Sequence, residues 1–395
     1  MVTSVKAQFW RCRISMRWKT RAIAMVVIVV LMAVSFVIPV SAISDEEVAA
    51  PSAILMEPNT GKILYEKNAN ELRPCASITK VMTLLLVMEA IDSGKISLDD
   101  QVTASAHAAS MGGSDIWLKE GETMSVNDLI KATVIMSAND AAVVLAEHVY
   151  GTEDEFVKQM NIRAKQLGMN DTTFKNCNGL DEDGHLTTAH DVALMSAELI
   201  KHEKIFDYTL TWMDYVRDGE TQLVNTNKLI RSYKGITGLK TGTTSQAGSC
   251  ISATAKRDNL SLVAVVLGCS TTDERFTSAS TLLDYGFANF SFASLQMPEL
   301  GTVPVTNGIQ GEVQAECTAT AEVLIPKGKE SAIKSEVELS EGVQAPVEQG
   351  QLLGKVKYEL DGEVIAEYDI TAKNSVKELD FGASFMILLR SLFHW

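Results

Sequence analysis

The sequence predicts an α+β protein with a small all-β domain behind it. Three observations carry this: an early pair of apolar-rich runs, a long helical middle, and three late strand-like runs closed by a helix. "SAILMEPNTGKILYEKN", Ser52 to Asn68, places its two apolar-rich runs around a Pro-Asn-Thr-Gly turn and reads as a hairpin. Helical spacing dominates from Ser77 to about Lys201, broken by Gly and Asn clusters. "GITGLKTGTT", "AGSCISATAK" and "LSLVAVVLGC" then read as an antiparallel meander, the last two joined at Asp258-Asn259. A helix from about Asp273 to Phe290 follows, and the N-terminal hairpin is expected to complete the late sheet.

Beyond Met297-Pro298 the composition changes to Val, Glu, Gly and Thr in short alternating runs. Asp361-Gly362 between alternating apolar residues is a hairpin signal, so 298–380 is expected to be the all-β domain behind a catalytic domain at 43–297. The last stretch, 381–395, is apolar with one arginine and too short to span a bilayer. A helix there would suit a membrane surface, with Phe393 and Trp395 at headgroup level.

At the other end, residues 1–42 hold Lys6, Arg11, Arg13, Arg17, Lys19 and Arg21 and no acid, then an apolar run from Ala22 to Val40 and a small-residue exit at Ala42. That order predicts a secretory signal peptide, with an uncleaved anchor as the minor alternative. Its removal lowers the net charge from −15 to −21. So acidic a chain would repel phosphates, which argues against a nucleic-acid partner. Cys75, Cys177, Cys250, Cys269 and Cys317 remain, an odd and scattered set that suggests buried thiols rather than a disulfide framework. Neither the cysteines nor the six histidines have metal-site spacing.

Catalytic chemistry is suggested by "CASITKVMTLLLVMEAI", where Ser77 stands three residues before Lys80 at the head of an apolar helix. A hydroxyl is a poor nucleophile at neutral pH, and an unprotonated amine one turn away can take its proton. Lysine titrates near ~10.4, so desolvation or a second positive charge is required. Helix capping and surface lysines explain S-x-x-K equally well in isolation. A second copy, Ser331-Ala332-Ile333-Lys334, lies in an acidic stretch with no apolar helix behind it and reads as surface. Two later pieces favour the first copy: Ser137-Ala138-Asn139 at the start of a helix, and Lys240-Thr241-Gly242 on a strand, the only K-T-G in the chain. Ser125-Val126-Asn127 is read as a helix cap.

The ordered set Ser77-Ile78-Thr79-Lys80, Ser137-Ala138-Asn139 and Lys240-Thr241-Gly242 resembles the active-site motifs of the penicillin-recognising serine enzymes. Its context, from about Ala53 to Phe290, is similar to the low-molecular-mass penicillin-binding proteins, the D-alanyl-D-alanine carboxypeptidases. "GSDIWLKEGETMSVNDLIKATVIMSANDAAVVLAE" and "NCNGLDEDGHLTTAHDVALMS" carry that similarity. The resemblance implies a penicillin-binding-protein/β-lactamase-like fold and an acyl-enzyme on Ser77 that releases the terminal D-alanine of a peptidoglycan stem. Lys80 would be the base, with Lys240 lowering its pKa, and Ser137 would relay a proton between the lysines and the leaving nitrogen. Asn139 would hold the peptide, while Lys240, Thr241 and Thr243 bind its carboxylate and the backbone of Ser77 and Thr243 forms the oxyanion hole.

It implies no cofactor or metal, β-lactam antibiotics as inhibitors, and action at the extracytoplasmic face of the membrane, with the tail as an anchor. Some members carry an arginine just after the last meander strand. Here that stretch reads Gly268-Cys269-Ser270-Thr271-Thr272, and Arg275 comes later, in the helix. The alternatives are a D,D-endopeptidase, a silent wall-binding scaffold, or a serine β-lactamase. The last needs a loop glutamate of the E-x-x-L-N kind, which Glu220 to Asn225 approximates with one residue too many.

Overall fold

The computed structural model describes residues 43–317 and 322–393, so the proposed signal segment and Trp395 lie outside the described residues. The early hairpin forms as expected: β1 (Ser52–Met56) and β2 (Ile63–Lys67) pair antiparallel. The helical middle contains α1 (Lys80–Asp92), α2 (Asn139–Tyr150) and α3 (Ala189–Leu199). A small hairpin, β3 (Met213–Val216) and β4 (Thr221–Val224), precedes the meander. The meander is β5 (Ile236–Thr244), β6 (Gly248–Arg257) and β7 (Leu260–Cys269), and α4 (Thr272–Asn289) follows it. The five strands form one sheet in the order β2-β1-β7-β6-β5, so the N-terminal hairpin completes the late sheet through β1 and β7.

This sheet is covered on both faces, which explains why β7 reads as a continuous apolar run rather than an alternating one. Val263, Val265 and Leu267 join the core formed with α1 and α3, while Leu262, Ala264 and Val266 join the core under α4. Helix α4 starts at a capping box: Thr271 accepts from Glu274 N, and the Glu274 carboxylate accepts from Thr271 N. Ser125 caps a short helix by accepting from Asp128 N, the role read for it from sequence.

Behind α4 the chain is all β, with a six-stranded sheet built around the long hairpin Leu352–Leu360 and Glu363–Ala372. Asp361 and Gly362 make its turn with φ of 53° and 87°. One pairing crosses the boundary expected at 297/298: strand Phe290–Ser294 leaves α4 directly and pairs with Glu322–Pro326 of the β domain. Residues Phe381–Phe393 form a helix with Phe381, Phe385, Met386 and Leu388 exposed. Among the described residues no helix is long and apolar enough to cross a membrane.

Candidate active site

Ser77 sits in a single 3-10 turn, Ala76–Thr79, that runs straight into α1. Its predecessor Ala76 takes a left-handed φ of 50°, a conformation rare for a residue with a side chain. Two glycines let other segments close on this turn. A Cβ on Gly242 of β5 would stand 2.8 Å from both Cys75 O and Ser77 N, and one on Gly179 would stand 2.0 Å from Ala76 O. Gly242 of the K-T-G motif is therefore required by the approach of two backbones, not by its own turn.

The turn places Lys80 Nζ 3.0 Å from Ser77 Oγ. The same nitrogen lies 2.5 Å from Asn139 Oδ1 and 2.7 Å from the carbonyl oxygen of Asn178. A neutral amine has two N–H groups and one lone pair. Two of the three neighbours can only accept, which leaves the lone pair for the Ser77 hydroxyl proton. Lys80 is fully buried, and that burial pushes its pKa down to about 7, against the opposing pull of Cys177, Asp115 and Asp140. Desolvation, one of the two causes the sequence allowed, is the largest contribution to that shift, and Lys80 and Lys240 also repel one another. Lys240 is itself buried and held well below the ordinary lysine range, first by desolvation and then by the positive charges of Lys80 and Arg275.

Asn139 heads α2, with Oδ1 on Lys80 and Nδ2 donating to Gly112 O at 2.6 Å. Its Oδ1 and one of its two amide N–H groups are engaged, so it orients the lysine and keeps a second N–H for a further acceptor. Ser137 ends a π-helical turn, Ala132–Met136, in the left-handed region at φ 66°. Such a residue costs of order 1–3 kcal/mol and is held only where its surroundings over-determine it. Its buried Oγ makes no hydrogen bond among the described residues, so the expected link to both lysines is not formed here.

On β5, Lys240 Nζ donates to Thr241 O at 3.0 Å, and the Thr241 and Thr226 hydroxyls lie 2.6 Å apart. Thr243 is exposed at the strand's end. Arg275, in doubt from its place in the helix, reaches back under the strand. Its buried Nη1 donates to Thr243 Oγ1 at 2.9 Å and to Gly242 O at 3.1 Å. One turn of helix brings the guanidinium to the site even though the arginine is missing from the strand end.

The structure therefore joins Ser77, Lys80 and Asn139 in one hydrogen-bonded cluster, lays Gly242 of the Lys240–Thr243 stretch against Ser77, and sets Ser137 two residues ahead of Asn139. Sequence reasoning missed Asn178, whose carbonyl binds Lys80, and Asp140, which accepts from Ile116 N and Leu118 N and fixes the loop beside Asn139. A main-chain carbonyl leaves no residue-type signal, although "NCNGLDEDGH" was part of the resemblance. Glu220, the nearest approach to a β-lactamase loop glutamate, is exposed at the turn of the β3–β4 hairpin.

A serine hydroxyl beside a buried lysine whose pKa is pushed down to about 7 is the arrangement of a serine acyl-transfer site. A family model described as D-alanyl-D-alanine carboxypeptidase matches residues 39–271, and one for the C-terminal domain of penicillin-binding protein 5 matches 297–378. D-alanyl-D-alanine carboxypeptidase DacF of Bacillus subtilis is 43% identical over 352 residues, 88% of this chain and 90% of that protein. DacC of Escherichia coli is 34% identical over 371 residues, 90% of this chain and 92% of that protein. The crystal structure of penicillin binding protein 5 from Haemophilus influenzae superposes with a TM-score of 0.76 at 33% identity, covering 85% of this chain and all of that one. An ampicillin-bound form of penicillin-binding protein D2 from Listeria monocytogenes matches at a TM-score of 0.56 and 36% identity over 61% of this chain and 98% of that one. The chain belongs to the D-alanyl-D-alanine carboxypeptidase family and is a serine-type peptidase.

Proposed function

We propose that this chain removes the terminal D-alanine from peptidoglycan pentapeptide stems through an acyl-enzyme on Ser77, and that β-lactams acylate the same serine. The observation that supports this most directly is the 3.0 Å approach of Ser77 Oγ to a lysine whose pKa burial brings to about 7. Lys80 takes the hydroxyl proton as Ser77 attacks the carbonyl of the D-Ala-D-Ala bond. The backbone N–H groups of Ser77 and Thr243 receive the oxyanion, a kind of donor worth ~2.7–4 kcal/mol of barrier each. Ser137 Oγ, buried and without a hydrogen-bond partner among the described residues, relays the proton taken up by Lys80 to the leaving nitrogen as the C–N bond breaks. Thr241, Thr243 and Lys240 receive the substrate carboxylate, with Arg275 holding the Thr243 hydroxyl in place. Water then hydrolyses the ester.

Labelled penicillin followed by peptide mapping tests this reading. The expected result is label on Ser77 with slow release, because Glu220 is exposed at a hairpin turn and does not serve as a deacylating base. Label on another serine would refute it.

Action outside the cytoplasm follows from a wall substrate. The amphipathic helix Phe381–Phe393, with large apolar side chains exposed, is the proposed membrane contact. Liposome flotation of chain 43–395 against chain 43–380 decides this. The longer chain should float and the shorter should not, with equal activity on a soluble peptide.

A further inference from the structure

Trp117 stands 73% exposed, the most exposed large hydrophobic residue among the described residues of the catalytic domain. Its backbone is left-handed, with φ of 55°. For a bulky aromatic residue this is a strained conformation that glycine or asparagine would adopt at lower cost. The strain is imposed from both sides. Ile116 N and Leu118 N donate to the two oxygens of the buried Asp140 carboxylate at 3.2 and 2.9 Å, and Ile116 O accepts from Arg217 Nη1 at 2.8 Å. The flanking side chains of Ile116 and Leu118 are buried, so the clamp leaves the indole in water. A tryptophan so exposed returns little packing energy to offset its backbone.

The clamp is linked by hydrogen bonds to the catalytic cluster. The same loop accepts the Asn139 amide protons, at Gly112 O from Nδ2 and at Ser114 O from the backbone, and Asn139 holds Lys80. Arg217 also ties the loop to the end of the β3–β4 hairpin, on which Met213, Tyr215 and Val224 are exposed. Trp117 therefore stands on the rim of the wall that carries Ser137 and Asn139.

We propose that Trp117 is a stacking site for a sugar ring of the glycan strand that carries the stem peptide, a role that rests on the peptidoglycan reading above. A pyranose ring has an apolar C–H face and a polar edge, and an indole offers a matching apolar face with one N–H donor. The next residues, Lys119 and Glu120, are charged and exposed, so the rim suits an amphipathic ring rather than a continuous lipid or protein surface. A stem tethered to such a polymer extends past the Ser77–Lys80–Asn139 cluster in a way a free peptide does not.

The test compares Trp117→Gly and Trp117→Phe with the native chain on two substrates, a pentapeptide and the same pentapeptide attached to its disaccharide. Trp117→Gly should lower kcat/KM about five- to ten-fold on the sugar-bearing substrate through KM, as expected for one stacking ring. Turnover of the free peptide and penicillin labelling of Ser77 should stay unchanged, and Trp117→Phe should keep part of the preference. Thermal stability of Trp117→Gly should be equal or higher, since glycine relieves the left-handed backbone. Equal losses on both substrates, no loss on either, or a marked fall in Tm would overturn the proposal. Failure of the underlying function would look different: the native chain would turn over neither substrate.

Discussion

The chain contains two S-x-x-K segments, and only one of them is an active site in form. Ser77 and Lys80 lie on a 3-10 turn that continues into α1, so the two side chains meet, and Lys80 is fully buried. Ser331 and Lys334 begin in a single turn, Glu330–Ala332, but the chain then leaves the helix and Lys334 opens a strand. Both are exposed. The tetrapeptide thus carries no chemistry of its own. What differs is a helix long enough to hold the i+3 geometry, and a core deep enough to discharge an amine.

The largest effect expected from this contrast is on Lys80. Lys80→Ala should slow acylation by about 10²–10⁴-fold, the usual contribution of a general base. Lys334→Ala should leave the rate unchanged, measured as kcat/KM on a D-Ala-D-Ala peptide. Equal effects of the two substitutions would abolish the distinction.

A pH profile sharpens it. The active form of Lys80 is the neutral amine, so kcat/KM should rise with pH through about 7 and level off above it. An acidic limb at pH ~10, the range of an ordinary lysine, would mean that burial does not set the base.

The smallest of these effects is on Arg275. Arg275→Ala frees Thr243 Oγ1 and Gly242 O and should cost about ten-fold in kcat/KM, mostly through KM, as for the loss of a charged hydrogen bond. Arg275→Lys should recover only part, because an ammonium lacks the planar fork. A change in kcat alone would place Arg275 outside carboxylate binding.

Both the sheet and the motif residues were legible in the sequence. Continuous apolar strands, the Asp361-Gly362 turn and the capping residues are local signals, and the structure keeps them. Geometry set by distant segments was not legible. The carbonyl of Asn178 reaches Lys80 only because Gly179 lets its loop press on Ala76. Arg275 reaches Thr243 from a helix that begins after the strand ends. The weight of desolvation in the Lys80 shift was not legible for a related reason: sequence shows which charges exist, and burial appears only when the core closes. The protein partners of the Asn139 amide were not legible either, because a motif names a residue but not what it touches.

The thiols have a consequence of a different kind. Cys75, Cys177, Cys250 and Cys269 are buried and unpaired, and desolvation pushes Cys75 and Cys269 to about 12, Cys250 to about 11 and Cys177 well above its usual value. Only the thiolate reacts with oxidants or alkylating reagents. Folding rather than pairing thus keeps these sulfurs inert. Cys75 lies two residues from Ser77 and Cys250 sits opposite Gly242 in the sheet, so both are shielded by the packing around that turn. Unfolding exposes that sulfur chemistry, so a chain that lingers unfolded is open to oxidation at residues beside Ser77 and Gly242.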